Sequence, residues 1–422
     1  MMFLSIEDVH QYLDDIPRFQ SHHAGAIDLD LSKFRAFCAE IGNPQDDFPA
    51  IHVAGTNGKG STCRILESIY REAGYETGLY TSPHILKFNE RFVVGGQPLP
   101  DDAMLAFFRD YHRLMEAHKL TYFEISTALA FWWFSKSEVD LGIIETGLGG
   151  RLDATNVVSP AASIITSVSL DHTDILGDTL AKIAREKGGI IKPGRPVVIG
   201  RLPPEAETII RGIAKQNGSP VASIEELHPE LTADSRVKLQ VKTRKLSLKT
   251  PFNVPVQALN AAIAWQTIQV LSEPFPVSEG RFAQGLQQTD IGHGRFEKLS
   301  PEKRWYFDGA HNIQAVKAVK QSVSAVGDLS EAILVLSLMG DKIRPDLMNQ
   351  FSEFKNIHYY SLNTKRAAPF KEIKKWWPDV KAFPTQSDQQ KLLLNEFDSE
   401  LVIFAGSFYF YATVRDWIKT LF

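Results

Sequence analysis

Residues 49–62 read PAIHVAGTNGKGST, and here the chain changes register. Ile51 to Ala54 is a short apolar run of the kind a buried strand shows. A glycine-rich turn follows. The next stretch, STCRILESIYREAG, sets Ile65, Leu66, Ile69 and Tyr70 at helical spacing and stops at Gly74. The order is therefore strand, loop, helix. Exposed backbone N–H groups at such a helix start hold phosphate oxygens well, and glycine removes the side chains that would block their approach. In the loop Gly55-Thr56-Asn57-Gly58-Lys59-Gly60-Ser61-Thr62, Lys59 can reach a β- or γ-phosphate, and Ser61 or Thr62 can offer a hydroxyl to Mg²⁺. A glycine separates the lysine from the serine, which departs from the standard P-loop. A lysine here favours a triphosphate over the pyrophosphate of a dinucleotide. The alternative is an ordinary glycine-rich turn.

The same alternation extends along the chain. Further strands are expected at Thr77 to Tyr80, Asp140 to Glu145, Ala162 to Ser167 and Pro196 to Gly200, with helices at 105–118 and 126–134. Strands alternating with helices imply an α/β fold with a mostly parallel sheet covered on both faces. The first 48 residues read as helical turns, softening at 42–49. Residues 221–256, with VKLQVKTRKLSLKT, alternate as antiparallel strands do, and 256–271 return to helix. A boundary is expected near 292–298, dividing the chain into 1–295 and a smaller α/β domain, 296–422. The latter has strands ending at WYFD and within 332–340, 356–362 and 401–407, and helices at 313–325 and 408–419.

Glu145 closes an expected central strand, and ligands in open parallel sheets collect at the carboxyl ends of strands. A second glycine loop carrying Arg151, Asp153 and Asn156 comes next, and the following strand runs to Asp171-His172. Glu145 and His172 are therefore expected side by side near Ser61, where carboxylate, hydroxyl and phosphate oxygens suit Mg²⁺; imidazole is a less common Mg²⁺ ligand. Helix capping by Asp171 or Asp174 is the plainer reading. Lys187 and Lys192 lie at a helix end and turn, and spacing alone does not choose between them.

Composition narrows the function. A chain of 422 residues exceeds one comfortable hydrophobic core, and 44% hydrophobic with 23% charged residues is ordinary globular composition. With 46 Lys plus Arg against 50 Asp plus Glu, there is no cationic excess for dedicated nucleic-acid binding. Two cysteines cannot staple such a chain, which predicts a reducing, cytoplasmic setting. The opening MMFLSIEDVHQYLDDI lacks the form of a signal peptide, and no stretch reaches the roughly 18 to 20 apolar residues of a membrane span.

Eight strings, taken together, resemble the folylpolyglutamate synthase/dihydrofolate synthase family of the Mur ligase superfamily. They are GTNGKGST (55–62), TSPHILKFNER (81–91), FEISTALAF (123–131), ETGLGGRLDATN (145–156), SLDHTDILG (169–177), IAREKGGIIKPG (183–194), FDGAHN (307–312) and GSFYF (406–410). They run in family order from residue 51 nearly to the end. The resemblance implies a Mur-ligase-like P-loop ATPase domain followed by a Rossmann-like C-terminal α/β domain. It implies an ATP-dependent acid–amino-acid ligase: ATP phosphorylates a carboxylate of dihydropteroate or of a reduced folate, and the amine of L-glutamate displaces phosphate. Both dihydrofolate synthase and folylpolyglutamate synthase activities are expected, in a monomer. A wall-precursor ligase of the same superfamily would need a domain before the ATP loop. A non-catalytic nucleotide binder would have lost the metal and cleft residues.

By the same resemblance, residues 55–62 hold the triphosphate, with Lys59 neutralising it. Ser61, Glu145 and His172 look like Mg²⁺ ligands, joined by Lys187, which matches a lysine that the family carbamylates. Asn260, Arg295 and Asp308 look like nucleotide-holding residues. His311 and Asn312 are expected by the incoming glutamate or phosphate, and Arg151 and Asp153 by the reacting carboxylate, with Asn156 in the same string. Ser82, Pro83, His84, Phe123 and Glu124 fall in segments used around the pterin-bearing substrate. Three departures stand out: EKGGI in place of EKAGI, Ile313 in place of a proline, and His293-Gly294-Arg295 in place of Pro-Gly-Arg.

Overall fold

The run that opens the phosphate loop is a strand, Ala50–Ala54 (β1), buried at all five positions as a strand covered on both faces must be. The computed structural model describes residues 3–16 and 30–421. Of the helical turns expected near the N-terminus, Ile6–Asp15 and Ser32–Glu40 form, and residues 17–29 lie outside those described. Around β1 assemble Thr77–Tyr80 (β2), Phe92–Val94 (β3), Gln97–Pro98 (β4), Leu141–Glu145 (β5), Ala162–Ile165 (β6), Val197–Ile199 (β7) and Val221–Ser223 (β8). They make an eight-stranded sheet in the order β4-β3-β2-β5-β1-β6-β7-β8. The strands from β2 to β8 in that order are parallel, and β3 and β4 form an antiparallel edge.

Helices cover both faces. On one, Asp101–Ala117 and Tyr122–Lys136 bring Met104, Phe107, Phe108, Phe131 and Phe134 into a core shared with Val9, Phe34 and Phe37 of the N-terminal helices. Along the same face, which Ile144, Ile165 and Ile199 share by register, Leu180–Gly188 and Pro204–Gln216 bring Ile183, Ala184, Ile210 and Ala214 against Ile165 and Ile199. Lys59–Glu72, the crossover that runs the other way along the sheet, covers the opposite face. Each such large side chain contributes about 1.5–3 kcal/mol by leaving water. The helix Glu279–Gln288 lies close on Lys59–Glu72, where a Cβ on Gly285 would come within 2.5 Å of the Ile69 Cα.

The alternating segment becomes Glu230–Leu231 (β9), Arg236–Val241 (β10) and Arg244–Lys249 (β11), a separate antiparallel sheet. Val237, Leu239, Leu246 and Leu248 point inward, as the period of two requires. The expectation of antiparallel strands fails at Val221–Ser223, whose pairing with β7 makes it the parallel edge of the main sheet.

Two compact units result: 1–251 with 257–290, and 252–256 with 291–422. The second contains Arg295–Lys298 (β12), Trp305–Asp308 (β13), Ile333–Leu336 (β14), Asn356–Tyr359 (β15), Lys381–Ala382 (β16) and Val402–Ala405 (β17), in the order β12-β13-β17-β14-β15-β16. Only β12 among these is antiparallel to its neighbour. The boundary expected after residue 295 lies inside β12, because pairing of Arg295 with Asp308 draws that strand into the second unit.

Candidate active site

The phosphate loop is held by its neighbours, and that explains its glycines. A Cβ on Gly55 would stand 1.9 Å from the Thr166 Oγ1, and Gly58 has φ +85 with the Asn260 Oδ1 2.7 Å from where its Cβ would be. Only glycine meets both demands. Thr166 Oγ1 donates to the Asn57 carbonyl (2.7 Å), and the Ser167 hydroxyl accepts from the Asn57 N–H (2.9 Å). The Thr56 N–H donates to the Ser167 carbonyl and its hydroxyl to that of Ser169. Sequence reasoning missed Thr166 and Ser167; the run of hydroxyls after ASII was the available signal. The helix Lys59–Glu72 starts directly on the loop, with Ser61 and Thr62 buried in its first turn. Asn260 reaches the first turn of that helix: its Oδ1 accepts from the Thr62 hydroxyl (3.4 Å) and its amide donates to Gln257 (2.8 Å).

Two lysines converge on one carbonyl. Lys59 Nζ lies 3.0 Å and Lys187 Nζ 2.9 Å from the Gly55 oxygen. Lys187 is 3% exposed. Burial, and then the Lys59 charge, push its amine down to about 7, although Asp171 and Asp153 oppose the shift. Structure thus separates the pair that spacing could not, because Lys192 turns to the Asn156 carbonyl and side-chain oxygen (3.1 and 2.8 Å).

In the second glycine loop the expected roles change. Asp153 was expected beside the reacting carboxylate. It is buried, and its Oδ2 accepts from the Gly147 and Leu148 N–H groups (2.9 Å each) while Oδ1 accepts from the Thr155 N–H (3.0 Å) and hydroxyl. Burial raises its pKa, against those hydrogen bonds. With its oxygens taken up by the loop, Asp153 positions it. Asn156 does likewise, donating to the Arg151 and Gly189 carbonyls. Arg151 pairs with Glu186, next to Lys187, at 2.9 Å.

Glu145 ends β5 and its Oε2 accepts from the Ser82 N–H (3.0 Å), bringing the TSPH segment, with its cis Ser82–Pro83 bond, to the sheet end. His84 Nδ1 accepts from Arg91 (2.9 Å). The Phe123 ring fills the space over Gly147, where a Cβ would meet it at 2.5 Å. Glu124, expected near substrate, instead accepts from the Thr121 N–H (2.7 Å) as half of a capping box and lies 3.5 Å from Lys33. His84, Leu86, Lys87, Phe88 and Tyr122 join His10 and Asp14 around a cavity of about 480 Å³.

Glu145 and His172 do not follow adjacent strands. β1, which leads into the phosphate loop, lies between β5 and β6. Among the described residues no three His, Cys, Asp or Glu side chains gather for a metal. The donor set still fits a hard cation: the Ser61 hydroxyl and Glu145 carboxylate border the phosphate loop, and the Thr146 and Ser169 hydroxyls are buried without a partner among the described residues.

In the second unit, Asp308 Oδ1 and Oδ2 accept from the Ala310 and Phe296 N–H groups (2.8 Å each). Burial pushes its pKa up to about 7, against the pull of Arg295 and those N–H groups. The Arg295 guanidinium lies 5.5 Å over the Phe408 ring. His311 Nδ1 is 2.7 Å from the Gly309 carbonyl. Asn312 caps the helix Ile313–Val326 through the Ala315 N–H (2.9 Å), so the helix start is fixed without a proline at 313.

The Mur ligase middle-domain family matches residues 53–265. The dihydrofolate synthase/folylpolyglutamate synthase of Bacillus subtilis is 32% identical over 99% of this chain and 100% of its own length. The folylpolyglutamate synthase of Lacticaseibacillus casei is 32% identical over 89% of this chain and 91% of its own. The bifunctional folylpolyglutamate synthase/dihydrofolate synthase of Yersinia pestis, solved with AMPPNP and a Mn ion, superposes with a TM-score of 0.85 at 29% identity, covering 99% of this chain and 98% of that one. Loop, lysines and relatives agree, and the chain belongs to the dihydrofolate synthase/folylpolyglutamate synthase family of Mur-type ligases.

Proposed function

We propose that this chain is an ATP-dependent ligase that joins L-glutamate to folate-type acceptors through an acyl phosphate, as both a dihydrofolate synthase and a folylpolyglutamate synthase. The observation that carries it is the glycine loop running directly into the start of the helix Lys59–Glu72, with the Lys59 amine folded onto the Gly55 carbonyl, a helix start and a cation that suit a triphosphate. An acceptor carboxylate oxygen attacks the γ-phosphorus and ADP leaves. The glutamate amine then attacks the acyl carbon, phosphate departs and one proton is lost. Lys59 and the loop N–H groups stabilise charge on the phosphoryl oxygens, and Arg151 stands close by on its Glu186 anchor.

A divalent cation, Mg²⁺ in this proposal, neutralises phosphate charge when bound. Ser61 and Glu145 would hold it, with His172 and a carbamate on Lys187. A carbamate turns a cation into an anionic oxygen ligand, and it forms from neutral amine, the form that burial favours at Lys187. Nucleotide holding by Asn260, Arg295 and Asp308, acceptor binding around Ser82 to His84 and Phe123, and glutamate or phosphate contact by His311 belong to the same reading, as do a monomeric form and a cytoplasmic setting. Both cysteines are free and buried, and no helix among the described residues is long and apolar enough to cross a membrane.

The L. casei relative, named only for chain extension, favours a second reading with that activity alone. Assay with ATP, glutamate and either dihydropteroate or tetrahydrofolate, with products sized, separates the two. Glutamylation of both acceptors is expected. Failure to consume dihydropteroate would leave chain extension only, and ATP hydrolysis indifferent to acceptor and glutamate would refute a ligase.

A further inference from the structure

Arg295 stands between two peptide N–H groups, each clamped by a carboxylate. The Gly294 N–H before it donates to Glu297 Oε2 (2.8 Å), and the Phe296 N–H after it donates to Asp308 Oδ2 (2.8 Å). The backbone needs such holding. Phe296 has φ +50, in the left-handed region where a bulky residue persists only if its surroundings fix it. The strand pairing slips there, from Arg295 opposite Asp308 to Glu297 opposite Phe307, and the Phe296 ring stacks on Tyr306 at 4.7 Å.

Glu297 is itself held, from the C-terminal helix Tyr411–Leu421. The Tyr411 hydroxyl donates to Glu297 Oε1 (2.7 Å). His293 Nδ1 lies 2.8 Å from the Tyr411 oxygen and its ring stacks on the phenol at 5.1 Å. Arg415 Nη1 lies 3.5 Å from His293 Nε2. A guanidinium only donates, so Nε2 accepts and Nδ1 carries the proton, which it shares between the Tyr411 oxygen and Glu297 Oε1 (3.1 Å). Donation therefore converges on Glu297, from Tyr411 and from His293 behind it, and the other carboxylate oxygen fixes Gly294. Such chains strengthen each member.

We infer that Tyr411, with Glu297 and His293, is a positioning residue that sets the direction of Arg295 toward the nucleotide. This rests on Arg295 being a nucleotide-holding residue. A side chain fixed before binding loses less freedom on binding, so the network acts on affinity for ATP rather than on the chemical step. Tyr411→Phe removes one oxygen and keeps the packed ring.

The experiment measures the dissociation constant of a fluorescent ATP analogue, and KM for ATP with kcat, in the full chain and in Tyr411→Phe, Glu297→Gln, Arg295→Ala and the Tyr411→Phe/Arg295→Ala double variant. Tyr411→Phe is expected to weaken nucleotide binding about 5- to 10-fold, the scale of one hydrogen bond, with kcat within about 2-fold. Glu297→Gln, which keeps an acceptor for Gly294, should lose less. In the Arg295→Ala background, Tyr411→Phe should add nothing, because it acts through the missing guanidinium. Unchanged affinity in both network variants, or full additivity in the double variant, overturns the inference. Unchanged affinity in Arg295→Ala instead refutes the reading of Arg295 on which it rests. If Tyr411→Phe melts early, Glu297→Gln decides alone.

Discussion

Lys187 is a residue that burial alone would discard. An ammonium taken from water, beside a second lysine, is costly to keep unless its chemistry is used. A carbamate supplies that use. Lys187→Arg keeps a cation but cannot form the adduct, so it should be as inactive as Lys187→Ala, and a small added carboxylate should restore part of the activity of the alanine variant alone. Labelling with ¹³C-bicarbonate should give a carbamate resonance in the parent protein that both variants lack. Full activity in Lys187→Arg would end the carbamate proposal. At this scale the sequence shows the glycines and both lysines but not which lysine is buried, since spacing carries no depth. It likewise set Asp153 by the reacting carboxylate and Asn156 among the substrate contacts, because their hydrogen bonds to Gly147, Leu148, Arg151 and Gly189 could not be seen.

Among elements, the parallel strands were legible because both faces are covered and their sequences are unbroken apolar runs, as in β5, β14 and β17. β3 and β4, three and two residues long, are too short to show a period, and tertiary pairing alone makes them strands. Glu124 was misread for a related reason: a carboxylate inside a family string suggests substrate, whereas the helix Tyr122–Lys136 needs it as a cap. Glu124→Ala should therefore cost about 1 kcal/mol of stability, as cap losses do, and leave KM for the acceptor within about 2-fold. Thermal melts and acceptor titrations test this, and a large KM change without a stability loss would return Glu124 to the substrate.

For the molecule as a whole, three buried groups shape the response to pH. His52 and His358 are held at about 3 and about 4, mainly by burial, with Lys192 and Lys381 adding to it. An unfolded chain takes up those protons near 6.5, so the stability they contribute is complete above that pH and is lost as pH falls toward 4. Asp308 acts the other way. Its folded pKa of about 7 exceeds the unfolded 3.8, so its contribution is lost as pH rises from about 4 to about 7. Asp308→Asn should remove the opposing slope, so that the melting temperature falls more between pH 7 and pH 5 than in the parent, while His358→Asn should make it fall less. Parallel curves for all three proteins would refute this assignment.

The path of the chain between its units also bears on synthesis. Residues 252–256 belong to the second unit, yet they are made before the first unit is complete. Val254, which ends up 3% exposed in the second unit's core with Val256 against it, leaves the ribosome while its packing partners are still uncoded. The nascent chain thus carries a small apolar tag through the closing of its first unit. A gene fragment stopped at residue 290 would keep that tag permanently bare, a ready handle for chaperones and for self-association.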